Sequence, residues 1–286
     1  MMRQYLTRLT GYKFQQFSDN PYRLMAMSFA FVMLIGSILL SLPIATKSGI
    51  STNYTDALFT AVSAVGVTGL AVVDTYEHWS VFGQVVIGIL IQLGGLGIMT
   101  FSTLIAAVLG RRIGLRDRLV LQEAMGQSGM HGMVKLVLRI VKFTFAIEFI
   151  GGVVYSYQLY EYLGVASVYY GFLQAISTFC NAGFVFFDSS LPYMMVGNWL
   201  FTLNSCIMII VSGVGFTVIF DVLKNYRRGM VYLTLHSKVI LWGTFWLLFI
   251  SFVMILFLEW NNVATMGEMT INNKIEAAFF QSAASR

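Results

Sequence analysis

The stretch that decides the fold is 56-DALFTAVSAVGVTGL-70, a short apolar run that leads into Gly69. A second stretch, 171-GFLQAISTFCNAGF-184, aligns with it without gaps at an offset of 114 residues and places Gly183 over Gly69. Each apolar run is about a dozen residues long, whereas a helix needs about 20 apolar residues to cross a bilayer. The chain therefore repeats a short unit that does not fit a full crossing.

Longer apolar runs flank both short ones. They are Met25–Leu42, Trp79–Leu109, Val134–Tyr160, Trp199–Leu223 and Val239–Leu258. We predict that all five are membrane-spanning helices, because an open strand in lipid would leave its backbone groups unpaired. The short runs Thr55–Val67 and Tyr169–Cys180 lie between spans, and their length predicts segments that enter the membrane and return on the same side.

The composition agrees with a membrane protein. Of the 286 residues, 57% are hydrophobic and only 11% are charged, whereas an average soluble domain has about 25% charged residues. A soluble domain of this composition would expose large apolar patches. The composition therefore excludes a soluble enzyme, a disordered chain and a nucleic-acid-binding domain, and the two cysteines, Cys180 and Cys206, are too few for a disulfide framework or a zinc site.

The basic residues predict the orientation. If the short runs return on one side, only Lys47, Lys274 and Arg286 of the 18 Lys and Arg residues lie on the outer face. Positive charge concentrates on the cytoplasmic side of membrane proteins, so we predict a multi-pass plasma-membrane protein with a cytoplasmic N-terminus. The same orientation places eight acidic residues on the outer face. They are either solvated loop residues or a group that concentrates cations at an entrance. They are Asp56, Asp74, Glu77, Glu161, Asp188, Glu259, Glu268 and Glu276.

We therefore predict an all-α integral membrane fold built from repeated helix–re-entrant helix–helix units. The predicted divisions are a cytoplasmic segment 1–22, a first repeat 23–110, a cytoplasmic loop 111–133, a second repeat 134–228 and the start of a third repeat 229–286. Glu276–Phe280 resembles Asp56–Thr60, which marks that third start. Because such repeats stack around a shared axis, we expect the chain to be the N-terminal portion of a four-unit polypeptide.

Each short run can be interpreted as a helix from about Tyr54 to Ala64, or its counterpart, followed by extended chain. We name the following residues the first glycine segment (Val65–Leu70) and the second glycine segment (Phe179–Phe184). The C-terminal end of a helix carries about half a negative charge, and glycine permits backbone that aligns successive carbonyls. Rings of carbonyl oxygens replace the hydration shell of an alkali cation. Neither segment contains an acid, which argues against Ca²⁺ or Mg²⁺; the alternative is two short interfacial helices with glycine turns.

The residues Ser63–Leu70 and Ser177–Phe184 resemble the first two selectivity-filter segments of the Trk/Ktr/HKT superfamily of potassium transporters, and Phe280–Arg286 resembles the approach to the third. The resemblance covers the whole chain. It is greatest to the membrane subunits of the bacterial Ktr branch, because only about twenty polar residues precede the first span.

The resemblance implies potassium uptake through one pore per subunit, with Na⁺ as a possible stimulator and no organic cofactor in this chain. It also implies a homodimer in membrane lipid and a cytoplasmic ring of nucleotide-binding RCK subunits. The implied coordinating carbonyls belong to Val67, Thr68, Gly69, Asn181, Ala182 and Gly183, with K⁺ at Thr68, Gly69, Ala182 and Gly183. Val65, Gly66, Phe179 and Cys180 are weaker candidates.

Three further features have two interpretations each. Glu148 lies within a predicted span and is either a functional intramembrane acid or a buried hydrogen-bonding group. Glycines within the spans indicate close helix packing or a bent helix. They are Gly94, Gly95, Gly97, Gly213 and Gly215. The basic group Arg111, Arg112, Arg116 and Arg118 is either a loop facing lipid headgroups or the dock for the RCK ring.

Two other classes of function remain open at this stage. The chain could be a non-conducting membrane scaffold or sensor derived from a pore subunit. An intramembrane enzyme is the weakest alternative, because the spans show no paired acids, no His cluster and no serine with a base nearby.

Overall fold

The computed structural model describes residues 21–97, 133–188, 197–227 and 230–285. Within these ranges the only regular secondary structure is helical, apart from one isolated bridge between Thr46 and Trp79. The helices are α1 (Pro21–Leu40), α2 (Tyr54–Gly66), α3 (Thr75–His78), α4 (Val81–Leu96), α5 (Met133–Leu163), α6 (Ser167–Phe179), α7 (Trp199–Val214), α8 (Phe216–Asn225), α9 (Leu235–Glu259) and α10 (Ile271–Ala284). Short 3₁₀ turns occupy Pro43–Ala45, Gly164–Ala166 and Met230–Tyr232.

The chain divides into two compact units. The first contains α1, α2, α4 and the beginning of α5. The second contains the rest of α5, α6 to α10 and the segment Asp74–Glu77.

Polar residues fix where the helices begin. Ser80 Oγ accepts a hydrogen bond from the Gly83 N–H at 3.3 Å, and Asn198 Oδ1 accepts one from the Phe201 N–H at 3.4 Å. Such caps satisfy N–H groups that the first turn of a helix leaves without a partner. Ser80 and Asn198 hold the same position in the repeat, at an offset of 118 residues. The second helix of each repeat therefore starts in the same way.

Small residues allow close packing around α2. Ala57, Ala61 and Ala64 lie on one face of α2 and are fully buried, where α2 packs against both α1 and α4. A Cβ atom on Gly36 of α1 would lie 2.7 Å from the Leu90 side chain of α4. This close contact is the packing that small residues provide between membrane helices.

The second unit repeats this contact. A Cβ atom on Gly151 of α5 would lie 2.3 Å from the sulfur of Met208 on α7. Gly151 follows Gly36 by 115 residues, and Met208 follows Leu90 by 118 residues. In both units, a glycine on a long helix (α1 or α5) thus contacts a side chain of the long helix that follows the short one (α4 or α7).

The prediction of one continuous helix over Trp199–Leu223 is wrong. The chain breaks at Gly215, where φ is +89°, and α7 and α8 meet at an angle of 96°. Glycine adopts this backbone conformation without the steric cost of a side chain. Gly97, its counterpart in the first repeat, ends α4 with φ +79°. The bent-helix interpretation of the glycines is therefore confirmed at Gly215.

Helix α9 is the single described helix that is long and apolar enough to cross a membrane alone. If α7 and α8 count as one broken span, the described residues contain two. Asp221 of α8 is bonded to the start of α9, since its Oδ2 accepts hydrogen bonds from the Thr234 N–H at 2.9 Å and the Ser237 Oγ at 2.6 Å. The carboxylate therefore lies at the positive end of the α9 helix dipole.

Candidate ion-binding segments

A left-handed turn ends α2 in the first glycine segment. Val67 has φ +54° and ψ +43°. Its N–H donates to the Ala64 carbonyl at 3.3 Å, and the Thr68 N–H donates to the Ser63 carbonyl at 3.0 Å. These bonds satisfy carbonyls at the end of the helix, as helix-terminating turns usually do. Glycine is the usual residue at such a position, and a β-branched valine there is an outlier.

The second glycine segment forms the same turn. Asn181 has φ +57°, and its N–H donates to the Thr178 carbonyl at 3.1 Å. The Ala182 N–H donates to the Ser177 carbonyl at 2.8 Å. Both bonds recur at the 114-residue offset that the sequence shows. Across the described residues, Val67 and Asn181 are the two non-glycine residues with positive φ.

A glycine in left-handed backbone follows each turn. Gly69 has φ +75° and Gly183 has φ +74°, whereas Thr68 and Ala182 between the left-handed residues do not have positive φ. The sign of φ thus alternates over three residues in both segments. A backbone of this kind can present successive carbonyl oxygens on one side, and glycine adopts it without a Cβ clash.

The predicted start of the extended chain is wrong by two residues. Val65 and Gly66 belong to α2, and Phe179 is the last residue of α6. Cys180 follows in a right-handed conformation with φ −73°. The helical hydrogen bonds continue until the first left-handed residue, so the weaker candidates among the coordinating residues are helix-end residues. Both segments leave the helical path only at Val67 and Asn181.

The residues after the turns are mostly accessible. Thr68, Asn181 and Gly183 are exposed, Val67 and Gly69 are partly exposed, and Ala182 is buried. The C-terminal ends of α2 and α6 bring partial negative charge to both segments. The segments carry no ionised side chain of their own. The local electrostatics therefore favour a cation that binds to backbone oxygen.

The first segment is supported by close packing of α4. A Cβ atom on Gly94 would lie 2.2 Å from the carbonyl oxygen of Val65. Only glycine allows α4 to approach the end of α2 at this distance. The packing interpretation of the glycines is thus confirmed at Gly94, although the sequence did not identify its contact.

The second segment is supported by side chains that the sequence analysis missed. Ser177 Oγ donates to the Phe184 carbonyl at 2.6 Å, and the Phe186 N–H donates to Gln174 Oε1 at 3.3 Å. The alignment of Ser177 with Ser63 was the available signal. Nothing in the pattern distinguished the two serines, because their bonds depend on the path of the following chain.

Two acids can be compared with their predictions. Glu148 is only 4% exposed, which confirms burial, whereas its bond to another helix remains a prediction. Glu276 is 2% exposed, so its interpretation as a solvated loop residue is wrong. Its Oε1 accepts a hydrogen bond from Thr202 Oγ1 at 2.5 Å, and its Oε2 accepts one from the Gly197 N–H at 3.0 Å. The carboxylate is buried because α10 packs against the beginning of α7.

The predicted docking residues Arg111, Arg112, Arg116 and Arg118 lie outside the described residues. The same holds for most of the predicted segment 1–22 and of the loop 111–133.

The sequence is similar to those of known proteins. Residues 5–286 match the TrkH family, which is described as a cation transport protein. The chain is 42% identical over 269 residues to Ktr system potassium uptake protein B of Bacillus subtilis strain 168, which covers 93% of this chain and 59% of that protein. It is 40% identical over 265 residues to the protein of the same name from Vibrio alginolyticus, covering 92% and 58%.

A third relative is the Potassium/sodium uptake protein NtpJ of Enterococcus hirae, at 39% identity over 268 residues, covering 93% of this chain and 58% of the relative. The chain thus spans less than two thirds of the length of these relatives. The crystal structure of the potassium transporter TrkH from Vibrio parahaemolyticus matches the fold with a TM-score of 0.58 at 18% identity. That match covers 90% of this chain and 50% of TrkH.

These similarities confirm the predicted superfamily and its Ktr branch. Cation transport is a membrane function, which confirms the predicted membrane location, and the alternative of an intramembrane enzyme is excluded by the family. By its sequence over residues 5–286 and by its fold, the chain belongs to the TrkH family of cation transport proteins.

Proposed function

We propose that the chain takes part in potassium uptake across the plasma membrane, as the ion-translocating subunit of a Ktr-type system. The ion is held by the backbone carbonyls of Val67–Gly69 and of Asn181–Gly183. The observation that carries this proposal is the recurrence of one unusual turn. The same two hydrogen bonds and the same pair of left-handed residues occur twice, 114 residues apart.

The chemistry of the segments favours a monovalent cation. Helix ends and peptide carbonyls offer partial negative charge without a carboxylate, whereas divalent cations prefer carboxylate ligands. Backbone carbonyls can substitute for the water around K⁺. The names of the relatives from Bacillus subtilis and Vibrio alginolyticus specify potassium, and the name of NtpJ adds sodium. We therefore assign K⁺ as the transported ion and Na⁺ as a possible stimulator.

The lengths of α2 and α6 support a re-entrant path. Each has 13 residues, which span about 20 Å at 1.5 Å per residue. The hydrocarbon core of a bilayer is about 30 Å thick. Each short helix then enters the membrane and its glycine segment returns, and non-helical backbone at that depth requires a protein or water environment. Because such segments return on the side from which they enter, this path agrees with a multi-pass protein whose N-terminus is cytoplasmic. Helix α10 is the third short helix of the series.

The proposed assembly follows from the Ktr branch. It is a homodimer in membrane lipid, with a cytoplasmic ring of nucleotide-binding RCK subunits. The basic group Arg111, Arg112, Arg116 and Arg118 is the proposed dock for that ring.

Glycine substitutions test the proposal. In the native full-length protein, Gly69→Ala and Gly183→Ala place a side chain on left-handed backbone and displace the carbonyls. Backbone strain of this kind costs about 1–3 kcal/mol, so we expect K⁺ uptake to fall about ten- to hundredfold. The readouts are growth of a potassium-uptake-deficient host on low K⁺ and K⁺ flux into proteoliposomes.

Gly49→Ala is the matched control. Gly49 has φ +70°, and a Cβ atom there meets nothing within 4 Å. The control carries the same backbone strain outside both glycine segments, and we expect it to retain K⁺ flux. Folded Gly69→Ala and Gly183→Ala proteins with unchanged K⁺ flux would contradict the proposal. Absence of K⁺ flux in the wild-type protein would favour a non-conducting scaffold or sensor.

A further inference from the structure

The chain that follows the second turn is bonded to α6 at two points. Ser177 Oγ donates to the carbonyl of Phe184 at 2.6 Å. The N–H of Phe186 donates to Gln174 Oε1 at 3.3 Å. Ser177 and Gln174 lie one helical turn apart on α6, so the two bonds hold three consecutive residues of the outgoing chain against the helix. We name this pair of side chains the α6 tether.

A side-chain network that extends from half-buried Thr178 to buried Tyr155 and Ser205 holds the α6 tether in place. Gln174 Nε2 donates to Thr178 Oγ1 at 3.4 Å, which orients the amide so that its oxygen faces the Phe186 N–H. Thr178 Oγ1 also accepts a hydrogen bond from the Tyr155 hydroxyl at 3.2 Å, and that hydroxyl lies 2.7 Å from Ser205 Oγ. Tyr155 is fully buried on α5. The network therefore connects α6 to α5 and, through Ser205, to α7.

Among the described residues, no side chain tethers the first glycine segment in this way. Thr60, which aligns with Gln174, donates its hydroxyl to the Asp56 carbonyl within α2 at 2.9 Å. Ser63, which aligns with Ser177, accepts a hydrogen bond from Thr68 Oγ1 at 2.9 Å. Within the part of the first unit that the structure describes, residues 69–73 make no hydrogen bond. As far as the described residues are concerned, the outgoing chain of the first segment is therefore held by packing and by its turn alone.

We propose that Ser177 and Gln174 are positioning residues for ion selectivity, and that the second glycine segment discriminates K⁺ from Na⁺ more strongly than the first. This inference rests on the proposed function. The bond from Ser177 holds the Phe184 carbonyl against α6, directly beyond the proposed row of coordinating oxygens that ends at Gly183. Gln174 fixes the chain just beyond that row.

The physical reason is the rigidity of the carbonyl row. Na⁺ is smaller than K⁺, so a flexible row can contract around it and recover the energy of dehydration. A row that is bonded to a buried helix at its outer end contracts less, which penalises the smaller ion. The number and field strength of the carbonyls also contribute to selectivity in such sites, and the α6 tether acts on the position of the carbonyls.

The test uses the full-length protein in proteoliposomes and measures the ratio of K⁺ to Na⁺ flux. Ser177→Ala removes one bond of the tether, and Gln174→Met removes the other at similar side-chain length. A neutral hydrogen bond is worth a factor of about three to ten in an equilibrium. We expect each variant to lower the flux ratio by about this factor, mainly through a higher Na⁺ flux. Ser177→Thr keeps the hydroxyl group, so we expect it to retain the wild-type flux ratio.

Ser63→Ala is the matched variant in the first unit. It removes only the contact with Thr68 Oγ1 and leaves the backbone bond between Thr68 and Ser63 intact. We expect a change in the flux ratio of less than about twofold, below the value of one hydrogen bond. A merely structural role of the tether would lower the yield and total flux of the Ser177 and Gln174 variants without changing their ion ratio.

Three results would overturn the inference, and they differ from a failure of the proposed function. The first is a flux ratio that stays at the wild-type value in both Ser177→Ala and Gln174→Met, in a protein whose K⁺ flux Gly183→Ala lowers as proposed. The second is an equal loss of selectivity in Ser63→Ala. The third is a wild-type protein without K⁺ flux, or one insensitive to Gly183→Ala, which would overturn the proposed function as well. If Ser177→Ala does not fold, Gln174→Met and Ser177→Thr decide the result.

Discussion

The two glycine segments share one turn but differ in what holds it. In the first, α4 packs its Gly94 against the Val65 carbonyl, and the outgoing chain is free of hydrogen bonds over residues 69–73 of the described unit. In the second, Ser177 and Gln174 bond the outgoing chain to α6. The turn itself is therefore a property of the repeated backbone, whereas its support is specific to each repeat.

This comparison separates two kinds of structural cause. The turn depends on hydrogen bonds between residues at most five positions apart, so each repeat forms it locally. The supports depend on contacts between different helices or on chain that folds back. Substitutions in the supports should therefore affect one segment and spare the other.

The largest effect in this comparison is expected for Gly94→Ala. The added Cβ atom would lie 2.2 Å from the Val65 oxygen, so α4 or the end of α2 must move. Overpacking of this kind costs about 1–3 kcal/mol. We expect a lower midpoint of thermal unfolding in detergent and a loss of K⁺ uptake.

Gly243→Ala is the control for that variant, because it makes the same exchange within α9 and its Cβ atom meets nothing within 4 Å. Alanine is favoured over glycine in a helix by about 1 kcal/mol, so the midpoint should stay equal or rise. A Gly94→Ala protein that unfolds at the wild-type temperature would show that α4 does not support the first segment.

A smaller effect is expected from glycine at the two left-handed residues. Strained backbone costs about 1–3 kcal/mol, and asparagine tolerates left-handed backbone better than valine. We therefore expect Val67→Gly to raise the free energy of unfolding relative to Asn181→Gly, although the entropy of glycine offsets about 0.5–1 kcal/mol of the gain. Thermal unfolding of both variants measures the difference. An equal gain in both would mean that Val67 carries no special strain.

The sequence predicted that both short helices end shortly before Gly69 and Gly183, because helix termination and glycine backbone are local properties. The 114-residue offset placed Gly69 and Gly183 correctly in equivalent left-handed backbone. It did not predict that Gly66 stays helical while Val67 becomes left-handed. The propensity of glycine favours Gly66 for that position, but the hydrogen bond from the Thr68 N–H to Ser63 fixes the turn one residue later.

The supports could not be predicted, because they depend on contacts that are distant in sequence. Gln174 reaches Phe186 only because the chain returns along α6, and its aligned residue Thr60 makes a different bond. One interpretation of Glu276 was a solvated loop residue, but its carboxylate is bonded to Thr202 and Gly197, which lie more than 70 residues away in the sequence. The pattern of acids does not contain that information.

The central claim is that backbone oxygens of both glycine segments bind the transported ion. Rb⁺ substitutes for K⁺ and scatters X-rays anomalously, so the most direct measurement is the anomalous difference density of Rb⁺ in crystals of the full-length protein. We expect a peak in contact with the carbonyl oxygens of Thr68 and Gly69, and of Ala182 and Gly183. Rb⁺ peaks found only beside acidic side chains, with none at either segment in a protein that transports K⁺, would contradict the claim.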